Sequence, residues 1–153
     1  MKLDIMIEDE GWRALRGLRR RTLEAMTLAV GRRNVAVSVL FAGDGAIRKL
    51  NRSWRGKDKA TNVLSFPAHA GVPVPRGEPR PLGDIALAYG VVAREARQQG
   101  KRLSDHAMHM LVHGALHLLD YDHESEQEAQ VMERREIRLL ARLGIENPYR
   151  HEQ

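Results

Sequence analysis

The period of apolar positions changes several times along the chain, and each change marks an element. Leu3, Ile5 and Ile7 alternate with polar or intermediate residues, the period of a half-buried strand. Trp12, Leu15, Leu18, Met26 and Val30 then supply a buried stripe for one helix running from roughly Trp12 to Val30. Val35 to Phe41 alternates again and is rich in β-branched residues, which predicts a second strand. Gly43-Asp44-Gly45 breaks it, and Asp44 is placed to cap a short helix with Ile47, Leu50 and Trp54 on its apolar side. Val63 to Phe66 predicts a brief third strand, ended by Pro67.

Five of the six prolines lie between Pro67 and Pro81, with Gly71 and Gly77 among them, so this stretch reads as a surface loop too long for a simple hairpin connection. Gly83 to Tyr89 resumes as a strand through Ile85 and Leu87. Val91 to Gln99 follows as a helix stopped by Gly100. Ser104 or Asp105 is the expected cap of the next helix. Ser125 and Glu128 have capping-box spacing for a final helix to about Leu143, closed by Gly144. Without internal repeats or low-complexity segments, the expectation is a single α/β (α+β) domain over residues 1–153, with a small mixed sheet of about four strands packed with about five helices.

Composition narrows the chemistry more than the fold. The 153 residues are 42% hydrophobic and 29% charged, ordinary for a globular protein. There is no cysteine, so disulfides and thiolate-ligated metals are excluded, and a transition-metal site must use histidine and carboxylate. Met1-Lys2-Leu3-Asp4-Ile5 carries no signal-peptide pattern, and no apolar run approaches the ~20 residues of a membrane span; a cytoplasmic protein is expected. Lys and Arg number 25 against 20 Asp and Glu, a formal charge of +5 that favours a polyanionic partner. Arg13, Arg16, Arg19, Arg20 and Arg21 read as a solvated helix face. Arg48, Lys49, Arg52, Arg55, Lys57 and Lys59 occupy a helix and the turn after it, whereas Glu124 to Glu136 is acidic-rich.

His113 and His117 are four residues apart, so on a helix they stack on one face and can chelate a single ion; His123 follows six residues later, after Asp120-Tyr121-Asp122, a turn-like segment that would bring it back to the helix end. Three neutral imidazoles with an open position make the ligand set of a catalytic zinc site rather than a closed structural one. Four histidines share the helical face, however (His106, His109, His113 and His117), and spacing alone does not choose among them. His109, among Met108, Met110 and Leu111, reads as structural or as a support behind the ligands; His106 has no assigned role. The intervals match those of metzincin proteases, which place a glutamate directly after the first histidine as general base. Here that residue is Gly114, which disfavours peptide-bond cleavage.

The run from His113 to His123 resembles the His-Gly-x-x-His-x-x-Gly-Tyr-Asp-His motif of the YbeY family, bacterial endoribonucleases and ribosomal RNA maturation factors. Leu50-Asn51 through Trp54-Arg55-Gly56-Lys57-Asp58-Lys59-Ala60-Thr61-Asn62-Val63-Leu64-Ser65-Phe66-Pro67 is similar to the family as well, as are Leu82-Gly83-Asp84-Ile85 and the stretch from Leu143-Gly144-Ile145 to Pro148-Tyr149. The resemblance implies a single α/β domain and one zinc ion held at a helix end by His113, His117 and His123. It also implies cleavage of single-stranded RNA in maturation of the 16S rRNA 3′ end, with ribosomal RNA and the small ribosomal subunit as partners. Arg55 matches the family's functional arginine. The family's glycine before Tyr-Asp-His is Asp120 here, a residue that tolerates a left-handed turn better than most.

Chemically, zinc would lower the pKa of its bound water towards ~7, for attack on phosphorus or for deprotonating a 2′-hydroxyl. Both routes place extra negative charge on phosphoryl oxygens, for which a planar guanidinium such as Arg55 is suited. The structural alternative for Arg55 is an ion pair with Asp58 or Asp84. Arg52, Lys57 and Lys59, with Arg48, would form a phosphate-tracking substrate surface or simply a solvated face. Asp122 and Glu124 would orient a ligand, shuttle protons, or only cap and solvate. Two other functions compete: a metal-dependent hydrolase of a non-RNA substrate, and a non-enzymatic ribosome-assembly factor stabilised by zinc.

Overall fold

Four strands form one mixed sheet in the order β1-β2-β4-β3: β1 (Lys2–Ile7), β2 (Val35–Ala42) and β4 (Arg80–Ala88) run parallel, and β3 (Val63–Pro67) closes one edge antiparallel to β4. The computed structural model describes residues 1–69, 71 and 73–150; Ala70 and Val72 of the proline-rich loop, and residues 151–153, lie outside the described residues. Strand alternation divides the core between the two faces. Val35, Val37, Val39 and Phe41 of β2, with Ile85 and Leu87 of β4, join the larger apolar cluster. Leu64, Ala86 and Ala88 join the smaller one, together with Ile47. The long loop after Pro67 therefore links two neighbouring strands. The fourth strand also starts earlier than its apolar pattern suggests, at Arg80, because a register shift opposite Ala36 and Val37 absorbs Leu82.

Six helices surround the sheet among the described residues, one more than expected. The predicted helix from Trp12 to Val30 is two: α1 (Glu10–Arg13) and α2 (Leu18–Val30). Gly17 between them adopts a left-handed backbone conformation (φ 73°) that a continuous helix cannot contain. The break lets Trp12 turn inward, fully buried, where its indole N–H donates to the Ala42 carbonyl at 3.0 Å and its ring meets Phe41 and Tyr89 edge-on.

Two expected caps act elsewhere. In α3 (Asp44–Arg55) the N-cap is Gly43, and the Asp44 carboxylate instead accepts the Val91 N–H at 3.1 Å, capping α4 (Tyr89–Gln98) from outside its own sequence. In α5 (Leu103–Leu118) the N-cap is Arg102, and Ser104 and Asp105 accept hydrogen bonds from Arg21 at 2.5 and 2.9 Å, tying α5 to α2. The cap of α6 (Glu126–Arg142) is the expected one: Ser125 accepts the Glu128 N–H at 3.0 Å. Arg13, Arg16, Arg19 and Arg20 are exposed, as a solvated face should be, with Arg13 and Arg19 donating to the Ile7 and Ile5 carbonyls. On α3, Ile47 is buried as expected, but Trp54 is 72% exposed.

The feature that places the site is the seating of α5 on β3 and β4. A Cβ at Gly114 would lie 3.0 Å from Ile85 Cγ2 and from Ser65 Oγ, so only glycine permits this approach without displacing its neighbours. The Ser65 hydroxyl donates to the Gly114 carbonyl at 3.1 Å and fixes it. Position 114 faces the sheet.

Candidate active site

His113 and His117 project from the last two turns of α5, and His123 comes from the segment that follows. Two hydrogen bonds end the helix: Asp120 N–H to the His117 carbonyl at 3.1 Å and Tyr121 N–H to the Leu116 carbonyl at 3.0 Å. This closure needs a left-handed residue at position 120, and Asp120 adopts φ 69°, the one positive φ among the described non-glycine residues. The turn brings His123 back over the helix end, its ring centroid 5.0 Å from that of His117 and 6.0 Å from that of His113. One ring nitrogen from each of the three lies within 4.8 Å of the others.

The outer nitrogens of the two helical ligands are already committed. His113 Nδ1 lies 2.5 Å from Glu136 Oε1, and His117 Nδ1 lies 3.1 Å from the Tyr121 carbonyl oxygen. Both partners only accept, so both Nδ1 atoms carry the hydrogen and both Nε2 atoms present lone pairs. Those Nε2 atoms are 3.1 Å apart. Two lone pairs at that distance repel unless a cation or proton stands between them. Burial, then the neighbouring His113 and His123, lower the His117 pKa and keep it neutral, the state a metal ligand requires. The triad therefore fits a metal ion on its donor chemistry, with three nitrogens on one side and the cleft on the other.

Glu136 is the residue that sequence reasoning missed. It is fully buried on α6, and its second oxygen accepts from His109 Nε2 at 3.0 Å and from the Tyr149 hydroxyl. Burial alone would raise its pKa; hydrogen bonds from His109, His113 and Tyr149 outweigh that and lower it to about 2. The anion thus orients His113 and ties α5, α6 and the C-terminal segment together behind it. A signal existed. Met132, Glu136, Leu139 and Leu140 form the buried stripe of α6, and an acid within an apolar stripe needs a partner. His109 accordingly supports Glu136 from behind the triad. His106 pairs with Glu95 at 2.9 Å, and Glu95 in turn accepts from Asn62.

The triad opens into a cleft of about 860 Å³. Arg55 also lines this cleft, its guanidinium donating to the Ser65 carbonyl at 3.2 Å. It pairs with neither Asp58 nor Asp84, and among the described residues it makes no ion pair: Asp58 is held by Arg48 at 2.8 and 3.0 Å, with Arg52 at 4.0 Å. Arg52, Lys57 and Lys59 are exposed and do not line the cleft, and Arg48 is occupied by Asp58. Asp122 accepts the His123 backbone N–H at 2.7 Å and orients no ring; Glu124 lines the cleft. No helix among the described residues is long and apolar enough to cross a membrane.

A family model described as Endoribonuclease YbeY matches residues 7–144. Curated proteins named Endoribonuclease YbeY are similar over most of the chain. That of Rhodopseudomonas palustris is 46% identical, covering 95% of this chain and 80% of its own length. That of Maricaulis maris is 44% identical, covering 98% and 92%. A shorter match to that of Magnetococcus marinus reaches 56% over 120 residues, covering 74% and 82%. Among solved structures, the solution structure of TM1509 from Thermotoga maritima superposes with a TM-score of 0.57 at 25% identity, covering 92% of this chain and 91% of that one.

Proposed function

The chain belongs to the Endoribonuclease YbeY family, and from that premise we propose that it is a zinc-dependent endoribonuclease specific for single strands, acting in the cytoplasm on ribosomal RNA at the 16S rRNA 3′ end in the context of the small ribosomal subunit. An RNA substrate is supported by membership in an endoribonuclease family; the chemistry is supported by the cleft. The observation that carries it is the presence in the lining of one cleft of a three-imidazole donor set and an arginine that has no carboxylate partner among the described residues.

When bound at the triad, zinc supplies Lewis acidity and an activated water near neutral pH. Glu136 and the Tyr121 carbonyl hold the Nδ1 protons of His113 and His117, so that both Nε2 lone pairs stay aimed at one point. Arg55 donates to the phosphoryl oxygens as negative charge builds on them, and its freedom from an ion pair leaves those donors available. Asp120, Asp122 and Glu124 line the cleft around His123 and are the carboxylates available there to accept a proton. Gly114 leaves the protease base position without a carboxylate, consistent with a phosphodiester rather than a peptide substrate. Arg52, Lys57 and Lys59 neutralise backbone phosphates on the approach, which makes binding steeply salt-dependent.

The direct test is cleavage of a labelled RNA presented as a single strand and as a duplex, before and after chelation. The proposal expects cleavage of the single strand alone, lost with chelator and restored by zinc. Cleavage indifferent to chelation would refute it.

A further inference from the structure

The two tryptophans of this chain have opposite fates. Trp12 is fully buried, whereas Trp54 is 72% exposed at the C-terminal end of α3. The other large exposed apolar side chains, such as Met6, Leu23 and Val131, are flexible or aliphatic and need no explanation. Trp54 is a rigid aromatic plate beside Arg55, the residue that reaches the catalytic cleft. Its ring rests against Phe66 with centroids 6.2 Å apart and planes inclined by 56°. Phe66 belongs to β3, the edge strand, and the neighbouring Ser65 and Pro67 line the cleft. Arg55 spans the two places, since it lines the cleft while donating to the Ser65 carbonyl. Phe66 points to the sheet face opposite Ser65 and Pro67, so the indole and the cleft lie on either side of the β3 edge, and a strand leaving the cleft over that edge at Arg55 would reach the indole.

The surroundings select the occupant. Arg52, Arg55, Lys57 and Lys59 are all exposed within five residues of Trp54 in the chain, and the acid in that stretch, Asp58, is already paired with Arg48. An apolar protein partner would have to bury these cations along with one ring. A polyanion carrying flat aromatic bases satisfies both features, and this pairing of basic groove with stacking platform is how single strands are held without sequence preference. Resting on the endoribonuclease reading above, we infer that Trp54 is a stacking site for one unpaired nucleobase of the RNA strand whose phosphate contacts Arg55. A base in a duplex has both faces covered, so this site also contributes to selection of single strands.

The test uses the zinc-loaded full chain and a single-stranded 2′-O-methyl RNA decamer as probe, with one abasic residue placed at each position in turn. Trp54→Ala is expected to weaken binding of the intact decamer about tenfold, within what one stacked base contributes. Trp54→Phe, which keeps an aromatic face, restores most of the affinity. An abasic residue at one position weakens the wild type to the same extent and abolishes the difference between wild type and Trp54→Ala. Binding of the intact decamer quenches tryptophan fluorescence in the wild type and leaves the buried Trp12 of Trp54→Ala unchanged. Equal affinity of wild type and Trp54→Ala for every strand overturns the inference while leaving the endoribonuclease reading intact. So does an abasic penalty as large in the variant as in the wild type at all positions. A wild type that binds no single-stranded RNA overturns both.

Discussion

Replacing Glu136 by Gln tests whether the buried carboxylate serves the metal site or only the core. Glu136 accepts from three donors: His113 Nδ1 on one oxygen, and His109 Nε2 and the Tyr149 hydroxyl on the other. Glutamine keeps one oxygen and replaces the other by an NH2 that only donates, so either His113 or the His109–Tyr149 pair faces a donor. Hydrogen bonds to a charged group contribute about 1.5–3 kcal/mol each, and the rearranged pocket is expected to lose roughly 2–4 kcal/mol of stability. Loss of the carboxylate behind a histidine ligand should also weaken zinc about 10- to 100-fold. Chelator competition at a temperature where both proteins are folded measures this directly. Leu139→Ala on the same helix is the control: it removes a buried side chain at about 2–5 kcal/mol but no hydrogen-bonding group, and its zinc affinity should match the wild type. The pH dependence carries a sign. The Glu136 pKa falls from 4.5 to about 2 on folding, so its stabilisation is complete above 4.5 and is lost as pH drops towards 2. The stability gap between metal-free wild type and Glu136→Gln should accordingly be constant near neutrality and close in that acidic window. Wild-type zinc affinity in Glu136→Gln would refute the reasoning.

Arg55→Ala should retain zinc and fold but lose about 100-fold or more in RNA cleavage, as for removal of a charge-stabilising donor; wild-type cleavage would make Arg55 merely structural. Asp120→Gly relieves a left-handed L-residue and should raise stability by about 0.5–1 kcal/mol in urea unfolding, a gain that a destabilised variant would contradict. Gly114→Ala pushes a methyl against Ile85 and Ser65 and should cost about 1–3 kcal/mol despite the better helix propensity, measurable by the same unfolding curves.

Much of this molecule was legible in its residues because the signals were local. The strands around Ile5, Val39, Leu64 and Ile85 follow from alternation, and the cap at Ser125 from a hydroxyl three residues before a glutamate. The histidine trio is compact in sequence, so its convergence needed only one helix end and one turn. What stayed hidden depends on contacts between distant segments. Asp44 caps a helix 47 residues away, and Ser104 and Asp105 are claimed by Arg21, so neither could be assigned from its neighbours. Glu136 was masked by the acidic stretch around it, although its place in a buried stripe set it apart. Gly17 was the overlooked break in the first helix. Spacing puts Trp54 on the apolar side of α3 and yet it is exposed, because helical spacing says which residues share a face, not where the sheet beneath that face ends.

The central claim is that the triad holds a metal that cleaves RNA, and one paired measurement tests it most directly. Wild type and His117→Ala, prepared identically, are compared for bound zinc and for cleavage of the same single-stranded RNA. The account predicts one zinc per chain and cleavage in the wild type, with both lost in the variant. Undiminished zinc and cleavage in His117→Ala would contradict it.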